Sequence, residues 1–289
     1  MNVDPRRTKA LARALDLRPV KSRGQHFLTA LHIVDGIVTC AGVGPEDGVL
    51  EIGPGLGALT AALAERVRRV VAVEIDRRLV AALNELFADR PSVHIVEGDV
   101  LAVDLPELLN RHFAPETPVH VVANLPYYIT TPILFRLLEH GDRFRAITIM
   151  VQKEVADRLA ATPGTKAYGA LTASVARFAR VEKCLDVPAG AFFPPPAVAS
   201  RVVRLVPHRP SPYAGCREGY VHLVAVAFKS RRKTLVNNLR QAHPALPIDW
   251  GAWLEAHGYD AKIRGEMLAP DDFCRLGAAL WALLQARTG

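Results

Sequence analysis

The sequence predicts an α/β fold: a Rossmann-like, mostly parallel sheet flanked by helices, with a smaller C-terminal helical domain. Three observations predict it. Short apolar runs alternate with Ala/Leu-rich helical stretches from about residue 30 to 206, and strands separated by helices argue for right-handed βαβ units. A glycine-rich turn, Gly53-Pro54-Gly55-Leu56-Gly57, lies between the first such strand and the helix after it. The composition then shifts at Pro207-His208-Arg209-Pro210-Ser211-Pro212, where prolines interrupt regular structure and read as a linker. A first domain is therefore expected at residues 1–207 and a second at 208–289.

The elements follow in order. Val49-Leu50-Glu51-Ile52 reads as a buried strand and Leu59 to Arg68 as a helix. Val70-Val71-Ala72-Val73 is the next strand, followed by a helix through Leu79-Val80-Ala81-Ala82-Leu83. Val93 to Val96, Val119 to Ala123 and Ile147 to Val151 continue the alternation, and Arg201 to Leu205 is a later strand. Continuous apolar runs of this length suit strands covered on both faces. Beyond the linker, Tyr220 to Ala242, Trp250 to His257 and Asp271 to Ala286 carry helical patterns, the last started by Pro270 and Asp271-Asp272. No internal repeat or low-complexity tract is present.

Bulk properties narrow the function classes. The chain has 289 residues, half of them hydrophobic, enough for a large core and a second small one. A net charge of +7 suggests a polyanionic partner, most simply nucleic acid. Cys40, Cys184, Cys216 and Cys274 are far apart in sequence and form no C-x-x-C pair. No disulfide and no zinc site are therefore expected, and a reducing interior is the natural home. The histidines show no metal-ligand spacing, so no metal is expected. Arg6, Arg7, Lys9, Arg13, Arg18, Lys21 and Arg23 make the N-terminal segment basic, without the apolar stretch of a secretion signal. No apolar segment reaches the ~18 residues of a membrane span. A cytoplasmic monomer is the expected state.

The most informative stretch is Asn124-Leu125-Pro126-Tyr127, directly after the apolar run Val119 to Ala123. It places a side-chain amide, a pre-proline carbonyl and an aromatic ring at the carboxyl end of a strand, where open α/β sheets bind ligands. The Asn124 side-chain oxygen and the Leu125 carbonyl together match both N–H bonds of an adenine amino group, and Tyr127 can stack on the ring. Pro126 fixes its own φ and restrains Leu125, which aims that carbonyl. An ordinary turn would use similar residues, but the preceding strand ends carry matching chemistry. Glycines 53 and 55 allow a tight turn and close backbone approach to a ligand. Glu74 ends the second strand, where a carboxylate can accept from ribose hydroxyls. Asp99, with the Val100 amide beside it, ends the third, where it can accept an adenine amino group. Gly53, Gly55 and Ala58 also satisfy the G-x-G-x-x-A dinucleotide pattern. A dinucleotide accounts only for the glycine loop and Glu74; one cofactor along the sheet edge, of the S-adenosylmethionine kind, accounts for all four strand ends.

Taken together these motifs resemble the S-adenosylmethionine-dependent ribosomal RNA adenine dimethyltransferase family, in particular its small-subunit rRNA methyltransferase A type. The resemblance spans nearly the whole chain. It includes Gly24-Gln25-His26-Phe27-Leu28, the glycine loop, Glu74, Asp99, Asn124 to Tyr127 continued by Tyr128-Ile129-Thr130-Thr131-Pro132, Phe192 to Ser200, and Arg231-Arg232-Lys233-Thr234-Leu235-Val236-Asn237-Asn238-Leu239. It implies a class I methyltransferase sheet, with cofactor contacts at His26, Leu28, Gly53, Gly55, Glu74, Asp99, Val100 and Asn124. It implies that Asn124, Leu125, Pro126 and Tyr127 hold the target adenine and that Phe192 is a second aromatic against it. The implied reaction is N6-dimethylation of adjacent adenosines in small-subunit (16S) rRNA, with a role in small-subunit biogenesis.

Lys229, Arg231, Arg232, Lys233 and Arg240 cluster on what reads as one helical stretch. With the N-terminal basic segment they are expected to grip phosphates of folded rRNA in an assembling small subunit, recognised by shape rather than base edges. The nearest rival is a large-subunit rRNA methyltransferase of the macrolide-resistance type, against which Leu125 and the Arg231 to Leu239 segment argue. A DNA adenine methyltransferase does not explain the second domain. A non-catalytic assembly factor and a dehydrogenase remain as the other classes.

Overall fold

The computed structural model describes residues 26–286; the basic N-terminal segment and Gly24-Gln25 lie outside the described residues. The chain divides into two compact units, one formed by Met1–Ala156 with Arg180–Pro207 and the other by Asp157–Ala179 with His208–Gly289. The boundary after Pro207 coincides with the proline-rich stretch. The assignment of all of 1–207 to one domain needs correction, because Asp157–Ala179 belongs to the helical unit. The cause is packing: Tyr168 and Ala173 are buried in that unit's core, while the Ala-rich composition of the segment resembles what precedes it.

The first unit starts with β1 (Phe27–Leu28) and α1 (Leu31–Ala41), then alternates β2 (Gly48–Ile52), α2 (Ala58–Ala64), β3 (Arg69–Glu74), α3 (Arg77–Leu86), β4 (Val93–Glu97), α4 (Leu105–His112), β5 (Val119–Asn124), α5 (Thr130–Glu139) and β6 (Ala146–Gln152). α6 (Lys153–Leu159) leads out, and β7 (Ala179–Val187), β8 (Phe192–Phe193) and β9 (Ser200–Pro207) complete it. The seven-stranded sheet has the order β4-β3-β2-β5-β6-β9-β7, and β1 pairs with β8 in a separate two-stranded sheet. β2 pairs in parallel with β3 and β5, β3 with β4, and β5 with β6, whereas β9 runs antiparallel to β6. Every residue of β2 is buried, as continuous apolar runs in a doubly covered sheet require. The order reverses between β2 and β5, the switch point at which such sheets hold ligands. The register sets Ile52 level with Val73 and with Ala123, and Glu74 with Glu97, so the loops after four strands leave the sheet at one rim.

Local chemistry fixes the helix starts. Asp76 caps α3 by accepting from the Arg78 N–H, and Asp104 caps α4 from Glu107, each satisfying a backbone donor that the first turn leaves free.

The second unit contains α7 (Ala170–Ala176), α8 (Arg217–Ala227), α9 (Leu235–Ala242), α10 (Trp250–Ala256) and α11 (Pro270–Gln285) around Tyr168, Tyr220, Trp250, Phe273 and neighbouring aliphatics. The Tyr168 hydroxyl donates to the Leu268 carbonyl and that of Tyr220 to the Ala173 carbonyl, which lets both phenols be buried without an unmet polar group. The single helix expected from Tyr220 to Ala242 is two helices separated by residues 228–234. Thr234 caps α9 by accepting from the Asn237 N–H. Asn238, fully buried, donates to the carbonyls of Ala227 and Ser230, satisfying the end of α8 and the loop after it. That break carries no proline or glycine to announce it.

α8 and α11 cross at Gly219 and Gly277, where a Cβ on Gly277 would sit 2.5 Å from the Gly219 carbonyl oxygen. The same pair of helices brings Cys216 and Cys274 together in a disulfide, with Cα atoms 5.4 Å apart. The expectation of no disulfide is thereby corrected. Fifty-eight residues separate the two in sequence, and only the helix crossing makes them neighbours. No helix among the described residues is long and apolar enough to cross a membrane.

Candidate active site

A cavity of about 310 Å³ opens at the carboxyl rim of β2, β3, β4 and β5. It is lined by His26, Leu28, Gly53, Gly55, Glu74, Asp99, Val100, Asn124, Leu125, Pro126 and Tyr127. One space thus gathers nearly all the candidates expected to bind a cofactor and a base. Glu51 and Tyr128, given no role by sequence reasoning, line it as well.

The glycine loop forms the floor. Gly53 and Gly55 adopt φ of +68° and +58°, in the left-handed region that side chains with a Cβ disfavour. A Cβ on Gly55 would also stand 3.2 Å from the Phe27 ring. Glu74 is buried and held by its own surroundings: Oε1 accepts from the Ile75 and Asp76 N–H groups at 2.9 and 3.0 Å, and Oε2 from Gly55 at 3.3 Å. Burial raises its pKa, opposed by those N–H donors and reinforced by the Asp76 carboxylate. Asp99 is exposed on the rim, with Oδ1 accepting from the Leu101 N–H at 2.9 Å. It therefore makes the turn bond that Gly-Asp pairs favour while facing the cavity.

Glu51 is 1% exposed, and its Oε2 has no hydrogen-bond partner. Burial pushes its pKa from 4.5 to about 8, and the nearby Glu74 adds to that. A buried, unmatched carboxylate oxygen on a cavity wall costs free energy unless a ligand answers it. The lone acid within the apolar run Val49-Leu50-Glu51-Ile52 was the signal that could have found it. The wall carries Glu51, Glu74 and Asp99 and no Lys or Arg. That balance suits a cationic ligand and is poor for the pyrophosphate of a dinucleotide.

The Asn124-Leu125-Pro126-Tyr127 tetrapeptide is fixed by four contacts. Asn124 Nδ2 donates to the His26 carbonyl at 3.3 Å, which orients the amide so that Oδ1 is the free acceptor. The Leu125 N–H donates to the Met150 carbonyl on β6 at 3.2 Å, and the Thr130 hydroxyl to the Pro126 carbonyl at 3.0 Å. The half-buried Tyr127 is hydrogen bonded through its hydroxyl to that of Ser200 at 2.7 Å, and burial raises its pKa. His26 stands beside Tyr127, with ring centroids 5.9 Å apart, and its Nδ1 donates to the Pro194 carbonyl at 2.8 Å. The Phe192 to Ser200 segment therefore acts on the site through Pro194 and Ser200, contacts that sequence reasoning missed.

Phe192 itself does not line the cavity. It is 4% exposed, pairs with Leu28 across the β1–β8 ladder and packs in the core beside Phe27. Its placement is that of a loop anchor, not of a ring facing a base.

In the second unit, Lys229, Arg232 and Lys233 are exposed on the loop between α8 and α9, and Arg240 on α9. Arg231 is committed elsewhere: its guanidinium pairs with Glu266 at 2.8 Å and donates to the carbonyls of Thr165 and Lys166. Four of the five basic residues thus sit on a braced loop and not along one helix.

The chain is similar to known proteins in both sequence and fold. A model of the family described as ribosomal RNA adenine dimethylase matches residues 18–252. Ribosomal RNA small subunit methyltransferase A of Shouchella clausii is 42% identical over 286 residues, covering 97% of this chain and 96% of the relative. The protein of that name from Bacillus cereus is 43% identical over 281 residues, covering 96% of each. Among solved structures, a dimethyladenosine transferase from Plasmodium falciparum matches with a TM-score of 0.71 at 28% identity, over 91% of this chain and 98% of that one. The 23S rRNA methyltransferase ErmE matches with a TM-score of 0.66 at 28% identity, over 86% and 97%. The matched family span starts before β1, ends within α10 and takes in the whole cavity wall; the chain belongs to the ribosomal RNA adenine dimethylase family.

Proposed function

We propose that this chain dimethylates N6 of adjacent adenosines in small-subunit rRNA, with methyl groups drawn from S-adenosylmethionine, and serves small-subunit biogenesis in doing so. The observation that carries the reading is the Asn124 amide, turned by the His26 carbonyl so that Oδ1 faces the acidic cavity as an acceptor. The small-subunit assignment is supported by relatives of that name at 42% and 43% identity over nearly the full chain.

The cavity residues fit the cofactor. Glu74 takes the ribose hydroxyls, Asp99 and the Val100 N–H the adenine edge, and the unmatched Glu51 Oε2 the ammonium group; Gly53, Gly55, Leu28 and His26 pack along it. Bound there, S-adenosylmethionine supplies an electrophilic sulfonium methyl group. Asn124 Oδ1 and the Leu125 carbonyl accept both N–H bonds of the target amine and draw its nitrogen towards tetrahedral geometry, localising the lone pair. Pro126 holds the second acceptor in place. Tyr127, tethered to Ser200, stacks on the base once it has left its helix, an excursion that costs a few kcal/mol. No side chain needs to act as base, because the methylated ammonium loses its proton to water. Catalysis is then chiefly alignment, which can supply up to roughly 7–11 kcal/mol in favourable systems. Lys229, Arg232 and Lys233 grip phosphates, and Arg231 holds their loop in shape.

The test is Asn124→Ala. Donor binding measured by calorimetry is expected to persist while methyl transfer to rRNA falls at least about 100-fold, the scale of losing a dedicated transition-state contact. Near-normal turnover would remove Asn124 from its assigned role.

A further inference from the structure

Besides Tyr127, His26 and the buried Phe27, the cavity has an exposed aromatic side chain, Tyr128. Its side chain is 61% exposed, the highest exposure among the large apolar and aromatic side chains of the described residues, yet it lines the same cavity as Tyr127. Its hydroxyl has no hydrogen-bond partner among the described residues, whereas Tyr127 is tethered to Ser200. Phe192, the other aromatic near the site in sequence terms, is packed in the core and absent from the wall. Tyr127 and Tyr128 are successive residues of a 3₁₀ turn, Tyr127–Ile129. Successive side chains of such a turn diverge by about 120°, so the two rings cannot clamp opposite faces of one base.

We propose that Tyr128 is a stacking platform for the nucleotide next to the extruded adenine, so that Tyr127 and Tyr128 take two neighbouring bases on two divergent faces. This rests on the reading of the cavity as an adenine methylation site and adds the recognition of a neighbour to it. An exposed ring at the rim can hold an unstacked base of any identity, because every base has a π-face. The contact therefore contributes to holding the opened strand and reads no sequence. It also fits a substrate whose two target bases are adjacent, since one of them can occupy the Tyr128 face while the other is methylated.

The experiment measures methyl transfer to rRNA at saturating donor for the wild type, Tyr128→Ala and Tyr128→Phe. Each is assayed on the normal substrate and on one with an abasic residue beside the target adenine. Tyr128→Ala is expected to raise KM for RNA about tenfold, equivalent to about 1.4 kcal/mol, with kcat changed less than about twofold and donor affinity unaltered. Tyr128→Phe should restore the wild-type KM, because the ring and not the hydroxyl makes the contact. On the abasic RNA the wild type and Tyr128→Ala should become equal. An unchanged KM in Tyr128→Ala, an equal deficit on both RNAs, or a loss of donor affinity would each overturn the proposal. Failure of the wild type to methylate the normal RNA would instead sink the methyltransferase reading itself.

Discussion

Glu51 lines the cavity as a buried acid whose Oε2 lacks a hydrogen-bond partner. Its burial-raised pKa of about 8 makes stability depend on pH. The folded state holds this proton more tightly than the unfolded chain does, so the contribution is fully present below the ordinary value of 4.5 and is lost as pH rises through about 8. Glu51→Gln does not titrate there. From about pH 4.5 to about pH 8 its thermal midpoint in the absence of donor is expected to gain on that of the wild type. The gain corresponds to up to a few kcal/mol at roughly 1.4 kcal/mol per pKa unit. Parallel midpoint curves for the two proteins would contradict this assignment. Ser200, fully buried, supports a second expectation. Losing its hydrogen bond to Tyr127, worth about 1 kcal/mol, should lower methyl transfer by Ser200→Ala about fivefold with donor affinity unchanged. Tyr127→Phe added to Ser200→Ala should cost little more, because one bond cannot be lost twice. The tetrapeptide and strand-end acids were legible because their residue types announce their chemistry; the Ser200 tether was not, since it joins positions 73 apart.

At the scale of elements, apolar runs revealed the central strands, but β7 escaped notice. Its residues, Arg180-Val181-Glu182-Lys183-Cys184-Leu185-Asp186, leave most side chains at least partly exposed, and an edge strand of that kind has no apolar run to show. The loop between α8 and α9 escaped for the opposite reason, since its Lys, Arg and Thr residues are acceptable in a helix. Its structure separates two roles within one basic cluster. Arg231→Ala should lower the melting temperature of the helical unit, because it leaves Glu266 and two carbonyls unpaired, while leaving the salt dependence of RNA binding nearly unchanged. Arg232→Glu with Lys233→Glu should do the reverse, weakening binding and reducing the log–log salt slope by about one per lost phosphate contact. Equal salt slopes for the two variants would place the RNA contact elsewhere. The crossing of α8 and α11 makes its own demand. Gly277→Ala drives a methyl group into the Gly219 carbonyl and is expected to cost at least about 1–3 kcal/mol in denaturant titration.

For the molecule as a whole, sheet class and the division near Pro207 were readable because both follow from local composition. The disulfide and the membership of Asp157–Ala179 were not, because each depends on contacts between distant parts of the chain. The Cys216–Cys274 bridge closes a loop of 58 residues, which on the chain-entropy account stabilises by about 4 kcal/mol. Reduction, or Cys274→Ser, should therefore lower the melting temperature measurably, and an unchanged melting curve under reductant would show that the bridge contributes nothing. The excursion of the polypeptide through Asp157–Ala179 has a consequence for biosynthesis. Every strand among the described residues has been translated once Pro207 emerges, so the sheet can close co-translationally, while Tyr168 waits for partners not yet synthesised. A nonsense codon just past Pro207 would release the complete set of strands with Tyr168, on the excursion between β6 and β7, lacking the core it packs into, a natural target for quality control.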